Sequence, residues 1–191
     1  MFIDNLALML INLVAGFFLL AYYMYFGVDE ANQRRWAPGF AVVGIIGIAT
    51  GLHTIFVWPL PASFNIVFGQ LGLIFGTLFL VASIAVALRW DLLTIGIYAL
   101  LGGMAALLAG IRFIIAGLTL TPVLSGTAFI LSGLAGIALP FVLWLRANPT
   151  IRLIFAILLV IVALIWAFIG YEAFWAHITE FAKWTPLTLR R

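Results

Sequence analysis

The sequence predicts an all-α integral membrane protein: a bundle of six transmembrane helices followed by a short C-terminal interfacial amphipathic helix. Two compositional facts and one pattern carry that prediction. Of 191 residues, 66% are hydrophobic and 8% are charged, where soluble domains carry roughly a quarter charged. A soluble fold of this size has too much surface for so few polar residues to cover, whereas lipid solvates apolar outer faces. The pattern is six apolar runs, each near the ~20 residues that carry a helix across roughly 30 Å of hydrocarbon. β-Strands are excluded, because the runs do not alternate and are too long. Open strand edges would also leave backbone groups unpaired in lipid.

The first run, 6–26, follows Asp4. It lacks a basic leader and a small-residue cleavage site, so it is predicted as a retained span. The second, 40–58, ends at Pro59 and Pro61, which turn the chain. The third, 64–88, starts behind Ser63, and the fourth, 92–118, behind Asp91. The fifth, 122–145, opens with Thr121 and Pro122 and carries Pro140, predicted to kink it. The sixth, 151–171, follows Pro149 and Thr150. Asp4, Ser63, Asp91, Thr121 and Thr150 are all residues that suit helix N-caps. Beyond the sixth run, Tyr171, Phe174, Trp175, Ile178, Phe181 and Trp184 recur at near-helical spacing, with Glu172, Glu180 and Lys183 elsewhere. Residues 172–184 are thus predicted to lie along the membrane surface. One domain, 1–191, accounts for the chain.

The nine Lys and Arg residues give a net charge of +3 and sit scattered at helix ends. They suit membrane lipids as partners and form no basic stripe for nucleic acid. No cysteine is present, which excludes thiolate metal sites, iron–sulfur clusters and cysteine nucleophiles. Arg34, Arg35, Arg89, Arg146 and Arg152 lie in the connections after spans one, three and five; those after spans two and four hold none. The positive-inside tendency therefore predicts a multi-pass protein of the cell membrane with both termini on the outer face. Lys183, Arg190 and Arg191 in the tail weigh against that orientation.

An offset of 59 residues lays Gly44, Gly47, Gly51 and His53 on Gly103, Ala106, Gly110 and Arg112. Spans three and five both end in Leu-Arg, at Leu88–Arg89 and Leu145–Arg146, at an offset of 57. Spans two–three and four–five thus read as a repeated hairpin, and the glycines as close-packing faces.

Polar residues within the spans are few. Asn12 and Gln70 lie six residues into spans one and three, and His53 and Arg112 five and six residues before the ends of spans two and four. At 1.5 Å per residue, all four sit about 8–9 Å below one membrane surface. Thr50, Thr54 and Ser125 lie close to that layer, with Glu172 and His177 above it. Intramembrane ionisable groups normally face the bundle interior, so Arg112, His53, Asn12, Gln70, Glu172 and His177 are the candidate ligand-binding residues. Arg112 would take an anionic group; its structural alternative is pairing with Glu172 or snorkelling to headgroups. His53 and His177 could ligate one haem b with Arg112 on its propionates. With Glu172 they are also the only metal-ligand candidates. For hydrolysis there is no G-x-S-x-G, HExxH or Gly-rich phosphate loop, so an enzyme is the less favoured class.

The stretches NQRRWAPGF (32–40) and GLHTIFVWPLPASFNIVFG (51–69), with Gly110–Ile111–Arg112, Ala163–Leu164–Ile165–Trp166 and Lys183–Trp184, resemble the membrane family called domain of unknown function 981. The resemblance runs over nearly the whole chain. It implies a prokaryotic, often archaeal, multi-span protein and brings no activity or assigned site. Three functions are therefore weighed from the polar band. The preferred one is a small anionic or amphipathic ligand or cofactor (lipid, quinone or haem) bound in a pocket open to the outer leaflet. The alternatives are a small-solute transporter, and a structural or accessory subunit that docks a homo-oligomer or membrane-complex partner.

Overall fold

A computed structural model of the chain describes residues 4–61 and 63–183. Among these residues every regular element is helical: α1 (Leu6–Tyr22), α2 (Ala37–Val57), α3 (Phe64–Leu88), α4 (Leu93–Ala116), α5 (Pro122–Trp144) and α6 (Pro149–Glu180). Six helices are long and apolar enough to cross a membrane, and the protein is a multi-pass α-helical membrane protein. α1 runs on through a π-turn, Tyr23–Gly27, and a 3-10 turn, Gln33–Trp36, leads into α2.

The sixth helix differs from its predicted bounds. α6 is 32 residues long, about 48 Å at 1.5 Å per residue. It takes in residues 172–180 without a break, so the predicted surface segment is the C-terminal end of α6 and no separate helix. No proline or glycine after Gly170 interrupts it, and the apolar spacing that suggested a separate helix is the same 3.6-residue period. Trp184, also assigned to that segment, lies outside the described residues.

The capping predictions are corrected in part. Ser63 and Thr121 occupy N-cap positions, but the others are Asn5, Trp36, Leu92 and Asn148. Only Asn148 caps with its side chain, accepting from the backbone N–H of Thr150 and Ile151. Asp91 sits two residues before α4 and accepts from Leu93 N–H at 2.7 Å.

Three antiparallel pairs build the bundle: α2 with α3, α4 with α5, and α1 with α6. Each pair meets the next more sparingly, through α1 with α2, α3 with α4, and α5 with α6, closing a ring. Glycines set the first two pairs. A Cβ on Gly44 would lie 2.5 Å from the Leu80 nitrogen, and one on Gly103 2.8 Å from that of Ile137. Gly51 against Leu73 N (2.6 Å) matches Gly110 against Ile130 N (2.8 Å), and Gly76 against Ile48 N (2.4 Å) matches Gly133 against Leu107 N (2.6 Å). Every match obeys the offsets of 59 and 57 read from the sequence. Backbones in contact gain dispersion energy that side chains would prevent, and lipid offers helices no hydrophobic reason to associate otherwise.

The third pair carries the same spacing. Gly96, Gly103 and Gly110 of α4 recur every seven residues, as do Ala156, Ala163 and Gly170 of α6, all buried. On the facing helices, Gly69 and Gly76, Gly126 and Gly133, and Ala7 and Val14 are likewise buried seven apart. A Cβ on Gly170 would stand 3.0 Å from the Leu10 Cβ. The first and last helices thus repeat the packing of the two central hairpins, and three similar pairs surround one axis.

The two ends of the bundle differ. At one, Arg152 pairs with Asp29, Arg35 with Glu30, and Arg146 Nη1 lies 3.4 Å from Asp91 Oδ2. This is the arginine-rich face. At the other, His177 Nδ1 and Asp4 Oδ2 are 2.6 Å apart, tying the start of α1 to the end of α6. Here Asn65 accepts from Leu60 N–H at 2.8 Å and donates to the Leu60 carbonyl, holding the turn between α2 and α3.

Candidate functional site

Where the three pairs meet they leave a cavity of about 140 Å³ on the central axis, with walls from all six helices. Its lining follows the repeat: Gly47, Ala106 and Trp166 come from matching positions of α2, α4 and α6. Leu13, Phe75 and Ser132 come likewise from α1, α3 and α5. Each of these rings mixes large and small residues, so no single pair fills the centre. That is the packing reason for the void.

The walls are almost wholly apolar, with Asn12, Thr50, Ser132 and Trp166 as the polar exceptions. Three of these are internally satisfied. Thr50 Oγ1 donates to the Ile46 carbonyl at 2.7 Å, and Ser132 Oγ donates to the Ala128 carbonyl at 2.7 Å while accepting from Trp166 Nε1–H at 2.9 Å. Asn12 is different. It is 5% exposed, and its Nδ2 donates to the Val43 carbonyl at 2.9 Å. A carbonyl can only accept, so that bond fixes the amide orientation and leaves Oδ1 as the free end. Among the described residues Oδ1 accepts no hydrogen bond, although Asn12 borders the cavity.

Aromatic rings close the end toward Asp4 and His177. Phe129 packs edge-on against Trp166 and Phe113, with centroids 5.0 and 5.2 Å away, and Phe68 tilts against Phe129 at 5.4 Å. Behind this plug, Asn5 Nδ2 donates to Thr54 Oγ1 at 2.8 Å, which locks α1 to α2. Toward the arginine-rich face, Leu20, Leu78 and Phe79 separate the cavity from a second, smaller one.

The six predicted site residues do not converge. Only Asn12 reaches the cavity. Gln70 and Arg112 lie on the outer surface of α3 and α4, where Arg112 shares a face with Leu101, Leu108 and Ile115, all strongly exposed. Arg112 forms no ion pair among the described residues, with Glu172 or any other group. It lies one turn from the end of α4. His53 is half-buried, with Nε2 enclosed and without a hydrogen bond. Glu172 is exposed on the C-terminal part of α6, and His177 is engaged by Asp4.

The physical reason lies in azimuth. Depth along a helix follows from counting residues, whereas facing follows from the 100° step between them. His53 and Arg112 each fall two positions after a hairpin-packing glycine, Gly51 and Gly110. They therefore point about 200° away from the partner helix.

The metal and haem options are corrected on the same geometry. Among the described residues no three His, Asp or Glu side chains are grouped to hold a metal, so His53, His177 and Glu172 form no site. Neither histidine lines the cavity. A void near 150 Å³ accommodates a benzene-sized molecule, far short of a porphyrin.

Residues 1–180 match the family described as protein of unknown function, DUF981. The chain belongs to that family. No curated protein and no solved structure matches it. The functional reading of this DUF981 chain therefore rests on its own geometry. Three residues of that geometry escaped the sequence reading: Ser132, Trp166 and Asn5. Asn5 carried a usable signal, since it precedes Asn12 by two helical turns on one face of α1. Ser132 carried none, because small residues recur throughout membrane helices, whereas Trp166 stands in the middle of α6, away from the interfaces where tryptophan is enriched.

Proposed function

We propose that this protein binds a small molecule with an apolar body and one hydrogen-bond donor, held in the central cavity by Asn12. The free Asn12 Oδ1 carries the reading: its amide donates to the Val43 carbonyl and leaves the oxygen at the cavity wall without a partner among the described residues, so a donor on the ligand would gain a hydrogen bond there. Of the lipid, quinone and haem classes, the ring-sized volume favours a phenol- or quinol-like group, or the hydroxyl end of a lipid. Binding pockets of this kind are concave, apolar and furnished with very few polar groups.

The test uses 4-bromophenol and bromobenzene in reconstituted bilayers, compared at equal membrane mole fraction. Bromine beside Trp166 quenches its emission, read as the difference between the wild type and Trp166→Phe. The phenol should bind more tightly than bromobenzene by about 3- to 10-fold, the worth of one net hydrogen bond of ~0.6–1.4 kcal/mol. Asn12→Leu should abolish that preference. Equal quenching by both probes in the wild type would refute the assignment.

We further place the protein in the cell membrane with its arginine-rich face inside. Support comes from five arginines gathered at one end of the bundle, since the positive-inside tendency counts Lys and Arg rather than net charge. The cysteine-free chain makes the check direct: a maleimide applied from outside should label Thr121→Cys and spare Arg34→Cys.

A further inference from the structure

Gln70 and Arg112 play no part in the cavity, yet they stand beside one another on the outside of the bundle. α3 and α4 meet where a Cβ on Gly102 would lie 2.9 Å from Ile74 Cγ2. They meet again where the Phe113 ring stands 6.0 Å from Phe64 and 6.3 Å from Phe68. Gln70 lies one turn before Ile74, and Arg112 one residue before Phe113. Helical steps of 100° place Arg112 about 200° from Gly110, which meets α5, and Gln70 about 140° from the cavity-lining Phe75. Both residues are exposed, so they flank the lipid side of the α3–α4 seam. Neither side chain has a hydrogen bond or ion pair among the described residues. An unpartnered guanidinium and an unpartnered amide facing lipid are costly, and the lipid itself carries groups that fit them.

We infer that the α3–α4 seam seats one anionic glycerophospholipid, with Arg112 on its phosphate, Gln70 on an oxygen of its glycerol linkages, and one chain lying over Ala109 and Ala105. Three observations select this occupant. The first is order in depth. Arg112 stands level with Phe64, beside Phe113, and Gln70 lies six residues further along α3, about 9 Å deeper. A phospholipid presents its groups in that sequence, phosphate first and glycerol next. The second is charge. With no carboxylate on Arg112, its cation is left for an anion, and a zwitterionic headgroup brings a cation of its own to compete for the phosphate. The third is room below the headgroup. Ala105 lies seven residues from Arg112 on the same face of α4, with Ala109 between them. Ala105 is exposed and Ala109 half-buried, and the exposed Leu101 and Leu108 stand beside this shallow track. This site is separate from the central cavity, and its test leaves the reading of Asn12 untouched.

Native mass spectrometry of the protein released from nanodiscs reads the first bound lipid, with dioleoylphosphatidylglycerol and dioleoylphosphatidylcholine titrated in turn. The wild type should hold phosphatidylglycerol about 5- to 10-fold more tightly, the worth of one charge-assisted hydrogen bond. Arg112→Gln should abolish that preference. Gln70→Leu and Ala105→Phe should each weaken both lipids by about threefold or more, because the glycerol linkage and the chains are common to both. Arg89→Gln removes an equally exposed and unpaired arginine at the opposite end of the bundle, and should leave the preference within about twofold. Should Arg112→Gln fail to assemble, Gln70→Leu and Ala105→Phe carry the test, and no loss from either overturns the site. Equal retention of the two lipids by the wild type overturns it as well. So does a loss from Arg89→Gln as large as that from Arg112→Gln, which would put net charge in place of a site. Dimer masses in place of lipid adducts would put a second protein copy on the seam and overturn it too.

Discussion

Gly76→Ala and Gly133→Ala should destabilise the bundle by similar amounts, because the two glycines occupy matching places in two hairpins. The new methyl carbon would lie 2.4 Å from the Ile48 nitrogen in one case and 2.6 Å from the Leu107 nitrogen in the other. Ordinary contact begins near 3.4 Å, so each helix pair must part by roughly 1 Å. The obstacle is backbone on both sides, which no rotamer change relieves. Overpacking of this kind costs about 1–3 kcal/mol, offset by up to ~1 kcal/mol of improved helix propensity. The expected net loss is thus about 1–2 kcal/mol at each site. Gly39→Ala is the control, since its methyl would meet only the Leu19 side chain at 3.4 Å; it should be neutral or slightly stabilising. Steric trapping in bicelles measures these differences on the membrane-embedded protein. The reasoning is refuted if Gly76→Ala and Gly133→Ala cost no more than Gly39→Ala, or if one of the pair is neutral while the other is severe.

Three further outcomes follow from the same structure. Asp29→Asn should lower stability by about 1–2 kcal/mol, because the Arg152 side chain is only 13% exposed and loses its anion; the figure is reduced from that of a fully buried pair because Asp29 itself is half-exposed. Arg146→Gln, which breaks a pair exposed on both sides, should change stability by less than ~0.5 kcal/mol in the same measurement. Arg112→Leu and Gln70→Leu should leave 4-bromophenol binding within twofold of wild type by Trp166 quenching, since both side chains face outward; a larger loss from either would place that residue at the site.

The sequence made the helices legible because hydrocarbon thickness imposes one length on every span. α3 has the predicted bounds of 64–88, and the other spans differ by a few residues at their ends, apart from α6. Helix ends in this chain are set by turns and interfacial chemistry, which residue types report weakly: Asp91 bonds Leu93 N–H without being the N-cap. The hairpin repeat was also legible, through Gly44, Gly51, Gly103 and Gly110, and each approaches a backbone nitrogen at the matching position of its partner helix. Gly69 and Gly76 against Gly126 and Gly133 carried the same offset of 57.

The site was legible only in part, for one reason. In a soluble helix hydropathy separates inside from outside, but in a membrane both sides of a span are apolar. The depth of Asn12, Gln70, His53 and Arg112 could be counted, while their facing could not be read from polarity. Small residues do give facing. With Gly51 and Gly110 taken as the hairpin side of each helix, counting residues alone turns His53 and Arg112 away from the partner helix. The cavity had no counterpart in the sequence, because it arises where rings such as Leu13, Phe75 and Ser132 fail to fill a shared centre.

The central claim is that three helix pairs enclose an axial cavity in which Asn12 meets a ligand. An experimental density map of the protein in native lipid tests it most directly. The account expects α1 paired with α6, and non-protein density within hydrogen-bonding distance of Asn12 Oδ1. A map in which Asn12 Oδ1 is paired within the protein, and the space between Trp166 and Phe75 is filled by side chains, would contradict it.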